Sequence, residues 1–185
     1  MSLRVGVLAS GAGTNLQAIL DRVHGHGVEV VGVASDKPGA EALARAEAAR
    51  DAAIAGWLEA REVGLVVLAG YMQLLDPGFL RRFPRVINVH PALLPAFPGI
   101  GAIQQGLDYG VKVFGVTVHF VDEGVDTGRI IAQRAVDLPD ATGPDEVRDA
   151  LRPLEHDLLC EAVALIGRGA VSFDPDHPRR VLVRS

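Results

Sequence analysis

The stretch Asn88-Val89-His90-Pro91 carries the side chains in this chain that are best suited to chemistry. Side chains alternate along a strand, so Asn88 and His90 are predicted to point to the same side. Pro91 disfavours helix at His90, which places that residue at or just past a strand end. An amide and an imidazole there could stabilise an oxyanion and move a proton. A buried turn, in which both side chains only satisfy backbone groups, is the alternative.

A glycine turn at residues 10–15 is a second candidate site, because it follows a Val/Leu-rich strand and precedes a helix. Gly11 and Gly13 would allow a ligand to approach the backbone, while Thr14 and Asn15 add hydrogen-bond donors and a helix cap. The turn lacks the lysine of a P-loop and the third glycine of a dinucleotide fingerprint. It therefore predicts a bound phosphate rather than a nucleoside triphosphate or NAD, with a plain tight turn as the alternative.

An acidic loop at residues 122–128 contains Asp122, Glu123 and Asp126. One of these carboxylates could pair with His90 and raise its pKa, and the spacing does not choose among them. The spacing does not match a calcium loop, and no two histidines have helical metal-ligand spacing, so no catalytic metal is predicted. His119 is interpreted as a packed or hydrogen-bonded histidine rather than a catalyst.

Three further features have open interpretations. Glu155, within a helix, could reach a cationic substrate group or could be a surface acid. Residues 71–75 follow a strand and could line an apolar pocket or belong to the core. Cys160 is the single cysteine, so no disulfide framework is possible, and packing in a helix is its predicted role.

The elements that must position these residues alternate between strand and helix, which predicts an α/β fold with a doubly wound, mostly parallel sheet. Strand–loop–strand near residue 125 adds an antiparallel extension, and a long C-terminal helix follows. A helical break is predicted near Arg50-Asp51, and a short hairpin in the tail. The predicted strands are 3–9, 28–34, 65–69, 86–88, 111–121 and 130–136; the predicted helices are 16–23, 41–62, 77–82, 102–109 and 142–167.

The length and charge of the chain indicate how many domains it forms and which classes of protein are excluded. At 185 residues, the chain is predicted to form a single domain over residues 1–185. A net charge of −5 argues against a general affinity for nucleic acid or an anionic membrane. There is no apolar run of the roughly 20 residues needed to span a bilayer and no signal peptide, so a cytoplasmic protein is predicted.

Four ordered motifs closely resemble the phosphoribosylglycinamide formyltransferases of purine synthesis. The first is Ser10-Gly11-Ala12-Gly13-Thr14-Asn15-Leu16-Gln17-Ala18-Ile19. The second is Asn88-Val89-His90-Pro91 with Leu93-Leu94-Pro95. The third is His119-Phe120-Val121-Asp122-Glu123-Gly124-Val125-Asp126-Thr127-Gly128, and the last is Glu155-His156. Together they cover about residues 3–168, which is nearly the whole chain.

This resemblance implies a Rossmann-like formyltransferase fold. It implies transfer of a formyl group from 10-formyltetrahydrofolate, a co-substrate, to the amine of glycinamide ribonucleotide. The implied catalytic residues are Asn88, His90 and Asp126, of which Asp126 raises the pKa of His90. The implied substrate-binding residues are Gly11, Gly13, Thr14, Asn15 and Glu155. The implied folate-binding residues are Met72, Gln73, Leu74, Leu75 and Asn88. A monomer or homodimer acting on small molecules is expected.

The chain departs from the family pattern between Lys37 and Leu65, where it is shorter by about twenty residues. An expected strand and a folate-contacting arginine are missing there, and Arg50 is a candidate replacement. Three alternatives are methionyl-tRNA formyltransferase, formyltetrahydrofolate deformylase and a non-catalytic phosphometabolite-binding protein. The first two usually carry an additional domain, which 185 residues do not accommodate.

Overall fold

A six-stranded sheet forms the centre of the molecule, with strand order β2-β1-β3-β4-β5-β6. The computed structural model describes residues 2–9, 13–34 and 47–184, without the side chains of residues 47–50. The strands of this sheet are β1 (Leu3–Ala9), β2 (Val28–Ala34), β3 (Leu65–Ala69), β4 (Val86–His90), β5 (Val113–Phe120) and β6 (Ile130–Asp137).

The direction of the strands divides the sheet into two parts. β1 to β4 are parallel to one another, whereas β5 is antiparallel to both β4 and β6. The predicted mostly parallel sheet with an antiparallel extension is therefore confirmed. A separate two-stranded hairpin, β7 (Val171–Phe173) and β8 (Val181–Val183), confirms the hairpin predicted for the tail.

Five helices accompany the strands within the described residues. They are α1 (Thr14–Arg22), α2 (Glu47–Glu59), α3 (Pro77–Arg82), α4 (Ala102–Tyr109) and α5 (Pro144–Gly167). The predicted break near Arg50-Asp51 is wrong, because α2 runs through both residues without interruption. Alanines on either side favour a continuous helix there. Residues 41–46 of the predicted helix lie outside the described residues.

Apolar cores lie on both faces of the sheet. One face packs against α1 and α5, through residues such as Ile19 and Leu158. The other face packs against α2 and α3, through residues such as Leu58 and Phe79. α2 can approach closely because the strand opposite it contains Gly6, where a Cβ would lie only 2.5 Å from the Leu58 side chain.

The long helix α5 begins two residues later than predicted and ends at Gly167, as predicted. Pro144 occupies the first turn, where no intrahelical N–H bond is lost, and Asp145 and Glu146 lie at the positive end of the helix dipole. Its buried stripe, which includes Val147 and Leu151, packs against the sheet. None of the helices in the described ranges combines the length and apolar content needed to cross a membrane.

Candidate active site

The side chains of β4 alternate between the apolar core and the candidate site. Ile87 and Val89 point into the core beneath α5, whereas Asn88 and His90 point to the opposite side. β4 extends to His90, two residues further than predicted, so the imidazole lies at the carboxyl end of a parallel strand. Ligands of α/β sheets bind at such ends. The predicted placement of Asn88 and His90 on one side is confirmed.

The neighbouring strand β5 adds two polar residues to the same face. Its register pairs Asn88 with His119 and His90 with Thr117, and both partners are buried. His119 is hydrogen-bonded through Nδ1 to the carbonyl of Phe120, at 2.8 Å. Because a carbonyl only accepts, Nδ1 carries the proton and Nε2 faces the site. His119 is therefore both a buried, hydrogen-bonded residue, as predicted, and part of the site.

Asp126 lies between the two histidines. Its Oδ2 is 3.3 Å from His90 Nδ1, and its Oδ1 is 3.4 Å from His119 Nε2. The amide of Asn88 is 3.5 Å from the same Oδ1, and the backbone N–H of Gly99 donates to Oδ2 at 2.7 Å. One carboxylate thus connects residues from β4, from β5 and from the loop after β4.

These contacts favour the ionised form of Asp126. The hydrogen bond that the doubly protonated form of His119 donates through Nε2 contributes most, and the Gly99 N–H and the charge of His90 add to it, while burial opposes them. Together they lower the pKa of Asp126 from 3.8 to about 2. The carboxylate of Asp126 is therefore negative throughout the physiological pH range.

The other ring nitrogen of His90 determines which nitrogen can exchange a proton. Nε2 is 2.8 Å from the carbonyl of Phe97, which can only accept, so Nε2 keeps its proton. Nδ1 is therefore the nitrogen that gains and loses a proton, and it is the one that faces Asp126. The loop after β4 fixes this tautomer by supplying the Phe97 carbonyl.

Thr117 attaches that loop to β5. Its hydroxyl donates to the carbonyl of Ala92 at 2.7 Å and accepts from the backbone N–H of Leu94 at 3.1 Å. Gln133 donates both to the Thr117 hydroxyl and to the Leu94 carbonyl, each at 2.9 Å. The turn that follows His90 is thus held by a fully buried hydroxyl.

A cavity of about 990 Å³ opens above this group. This is the size range of small-molecule sites. One wall is the segment 72–75, where the side chains of Met72 and Leu74 are largely exposed. Asn15 and Glu155 also line the cavity. Asn88, His90, His119 and Asp126 contribute to its lining as well.

Glu155 and Asn15 form a second polar group in the cavity. Burial raises the pKa of Glu155, while a hydrogen bond from Asn15 and the charges of Arg152 and Arg148 oppose that shift. The Oδ1 atom of Asn15 is buried and has no hydrogen-bond partner among the described residues. Glu155 is therefore a cavity residue and not a surface acid.

The helix that carries Asn15 begins beside this group. Gly13 caps α1 in the left-handed conformation, with φ 76°, and Thr14 is the first helical residue. α1 starts two residues earlier than predicted. The first N–H groups of a helix have no partner within the helix, which makes its N-terminus suited to an anion. Gly11, the other predicted phosphate-contacting glycine, lies outside the described residues.

Comparison with known proteins identifies the family to which this fold belongs. The family model described as "Formyl transferase" matches residues 3–163. That range contains β1 to β6 and most of α5, so it includes every residue of the cavity described above. The chain belongs to the formyl transferase family.

Two bacterial relatives of this formyl transferase are named phosphoribosylglycinamide formyltransferase. The protein of Mycobacterium tuberculosis H37Rv is 41% identical, over 91% of this chain and 87% of its own length. The protein of Bacillus subtilis is 39% identical, over 83% of this chain and 89% of its own length. The trifunctional purine biosynthetic protein adenosine-3 of Drosophila melanogaster is 38% identical over 94% of this chain, which spans only 14% of that protein.

Solved structures show the same architecture. The glycinamide ribonucleotide transformylase 1 of Symbiobacterium toebii aligns with a TM-score of 0.88 and 42% identity, covering 100% of this chain and 95% of that chain. A formyltetrahydrofolate deformylase from Pseudomonas syringae aligns with a TM-score of 0.85 and 25% identity, covering 67% of that chain. The predicted formyltransferase fold is therefore confirmed.

The structure of this formyl transferase brings most of the predicted site residues together. Asn88, His90 and Asp126 line one cavity, whose lining also includes residues 72–75, Asn15 and Glu155. Asp122 instead stabilises its own loop, by accepting from Thr127 Oγ1 at 2.6 Å and from Gly124 N at 3.1 Å. The chemical roles predicted for these residues, the cytoplasmic location and the oligomeric state remain predictions.

Two residues of the site were not predicted from the sequence. The role of Thr117 and the approach of His119 to Asp126 depend on strand register, which pairs β5 with β4. The alternating polar residues of β5 were the one available signal. Arg50 lies in α2, but its side chain is outside the described residues.

Proposed function

We propose that the protein transfers the formyl group of 10-formyltetrahydrofolate to the amine of 5'-phosphoribosylglycinamide. The observation that carries this proposal is the position of Asp126 between His90 and His119, beside the amide of Asn88, in a cavity of about 990 Å³. The names of the bacterial relatives support the choice of reaction.

The proposed reaction makes one C–N bond and breaks another. The lone pair of the neutral substrate amine attacks the formyl carbon, and the carbonyl oxygen becomes a tetrahedral oxyanion. Collapse of this intermediate breaks the bond between the formyl carbon and the folate nitrogen. The amine nitrogen loses one proton and the departing folate nitrogen gains one, so no external oxidant or metal is needed. The two steps require a group that donates a hydrogen bond to the oxyanion and a group that carries a proton from one nitrogen to the other.

Asn88 and His90 have the groups for these two tasks. The Asn88 amide is neutral and can donate to the oxyanion without competing for protons. His90 Nδ1 is held near Asp126, and Nε2 is bound to the Phe97 carbonyl, so the ring is oriented from both sides. Asp126, ionised at neutral pH, favours a proton on Nδ1 while the oxyanion exists.

The two ends of the cavity suit the two substrates. The N-terminus of α1 and Asn15 offer donors to the substrate phosphate, and Glu155 offers a carboxylate to a cationic or N–H group of the same substrate. Met72 and Leu74 offer an apolar wall to the folate rings, while Gln73 adds a polar side chain on that wall.

The decisive assay follows tetrahydrofolate release from 10-formyltetrahydrofolate with and without glycinamide ribonucleotide. Release that requires the amine, together with formation of the formylated amine, is the expected result. Release of formate at the same rate without the amine would indicate the hydrolytic reaction named for the Pseudomonas syringae structural relative. Binding of both ligands without turnover would instead favour a non-catalytic phosphometabolite-binding protein.

A further inference from the structure

The carboxylate of Asp126 depends on an unusual loop. We name residues 121–128, between β5 and β6, the Asp126 loop. Asp126 adopts φ 53°, a left-handed conformation that costs free energy for any residue other than glycine. Asp122 closes the loop from within, through Gly124 N and Thr127 Oγ1. Contacts from outside the loop are needed to hold a strained residue in one position.

The C-terminal hairpin, β7 and β8 with the turn at residues 174–180, contacts both ends of this loop. The ring of Phe173 packs edge-on against Phe120, the residue before the loop, with ring centroids 5.2 Å apart. The guanidinium of Arg129, the residue after the loop, lies 4.3 Å from the centroid of the same ring. One aromatic side chain thus ties the two ends of the loop together.

Arg179 makes a third contact, next to Asp126 itself. Its Nη1 donates to the carbonyl of Thr127 at 2.8 Å, across 52 residues of sequence. The peptide that accepts this bond is one residue from Asp126, so the bond limits rotation of the backbone that carries the carboxylate. Arg179 is not part of the cavity lining.

The turn that presents Arg179 is itself well ordered. Asp174 Oδ1 accepts from the backbone N–H groups of Asp176 at 2.9 Å and His177 at 3.3 Å. The backbone of Asp174 donates to the carbonyl of Arg180 at 3.1 Å, which closes the hairpin. The guanidinium of Arg179 therefore projects from a fixed turn rather than from a free tail.

We propose that the C-terminal hairpin positions Asp126 for formyl transfer, with Arg179 as the positioning residue. The inference rests on the proposed function for its kinetic consequence, but the bracing contact can be measured without it. Arg179 acts through the backbone of Thr127 and does not line the cavity in which the substrates are proposed to bind. Its loss is expected to impair the chemical step and to leave substrate binding intact.

The test compares Arg179→Ala with Arg184→Ala, which removes the same charge directly after β8. Arg179→Ala is expected to lower kcat about 5- to 10-fold, the effect of losing one solvent-exposed hydrogen bond, with KM for both substrates within about 2-fold. Arg184→Ala is expected to leave kcat unchanged. Arg179→Lys keeps a donor and is expected to recover part of the loss.

Hydrogen exchange supplies the readout that does not need turnover. Amides of residues 121–128 are expected to exchange faster in Arg179→Ala than in the wild type or Arg184→Ala. Wild-type kcat in an Arg179→Ala protein would overturn the proposal, as would equal loss in both variants. If the wild type catalyses no formyl transfer, the proposed function fails. The positioning role of Arg179 is then tested by exchange alone, and unchanged exchange of residues 121–128 in Arg179→Ala would refute it.

Discussion

The Asn88–His90–Asp126 group and the 72–75 segment line the same cavity, but the chain holds them in different ways. His90 is 4% exposed, and its ring is bonded at both nitrogens to other parts of the chain. Met72 is 60% exposed and Leu74 69% exposed, so each presents apolar surface to the cavity. The chemical group is preorganised by the protein, whereas the apolar wall supplies surface for a ligand to cover.

This contrast gives the two regions different kinetic signatures. A residue that stabilises charge only in the transition state changes kcat, whereas a residue that contacts the substrate equally before and during reaction changes KM. Substitutions in the buried group should therefore lower kcat, and substitutions in the 72–75 segment should raise KM. A residue of either region that shows the opposite behaviour would contradict this contrast.

The largest effect is expected for His90→Ala and Asp126→Ala. Loss of one oxyanion-stabilising group costs about 2.7–4 kcal/mol of barrier, which lowers kcat by roughly 100- to 1,000-fold. Single-turnover and steady-state rates of tetrahydrofolate release measure it, with circular dichroism to show that each variant is folded. Near-normal turnover in either folded variant would remove that residue from the mechanism.

Asp126→Asn is expected to reveal the same group through stability. Because the pKa of Asp126 falls from 3.8 to about 2 on folding, its ionised form contributes about 2 kcal/mol to the free energy of unfolding at pH 7. That contribution is present above pH 4 and declines as the pH falls toward 2. The free energies of unfolding of wild type and variant, measured in urea, should therefore differ above pH 4 and converge as the pH falls from 4 toward 2.

Asp140→Asn is a control for this experiment, because it removes one acidic charge from an exposed position outside the cavity. The pH dependence of its free energy of unfolding is subtracted from that of Asp126→Asn. The difference that remains depends on the environment of Asp126. A wild type–Asp126→Asn difference that grows as the pH falls from 4 to 2 would have the wrong sign for a carboxylate whose pKa is lowered on folding.

Leu74→Ser is expected to raise KM for the folate about 5-fold and to change kcat little. The substitution removes apolar surface that a ligand would cover. Because the ligand would bury only part of this side chain, the loss of binding free energy is about 1 kcal/mol, less than for a fully buried leucine. Initial rates at varied folate concentration measure this change. Leu20→Ser, a partly exposed leucine on α1 outside the cavity, is the matched control. A fall in kcat at constant KM would place Leu74 with the chemical group.

The smallest effect is expected for Cys160→Ala. The buried thiol donates to the carbonyl of Ala18 at 3.3 Å, where α5 packs on α1, and burial raises its pKa. Its removal should lower the free energy of unfolding by about 1 kcal/mol, with kcat and KM unchanged. Thermal unfolding measures the change in stability, and one saturation curve shows whether kcat and KM are unchanged. Lost activity at wild-type stability would show that Cys160 does more than pack.

The sequence predicted those features that follow from local periodicity. The two-residue spacing of Asn88 and His90 places them on one face, and Pro91 marks the end of their strand. The choice among Asp122, Glu123 and Asp126 could not be made from spacing, because it depends on how a loop folds back over two strands. That choice came from family resemblance, and in the structure the histidines contact Asp126.

Features that depend on pairing between distant segments were not predictable from local patterns. The bond between Arg179 and Thr127 joins residues that share no periodic signal, and the hairpin itself was predicted without any contact to the site. The continuity of α2 through Arg50-Asp51 was also missed. A polar pair in an alanine-rich run resembles a helix end, but Asp51 is buried and accepts from the backbone N–H of Asp76 at 2.6 Å.

The alternation of β4 has a consequence for which changes in length this chain can tolerate. Insertion or deletion of one residue within β4 would exchange its two faces, moving Asn88 and His90 into the core and Ile87 and Val89 into the cavity. Both folding and chemistry would be lost at once. In evolution and in protein engineering, β4 can therefore change by substitution but not by a change of length.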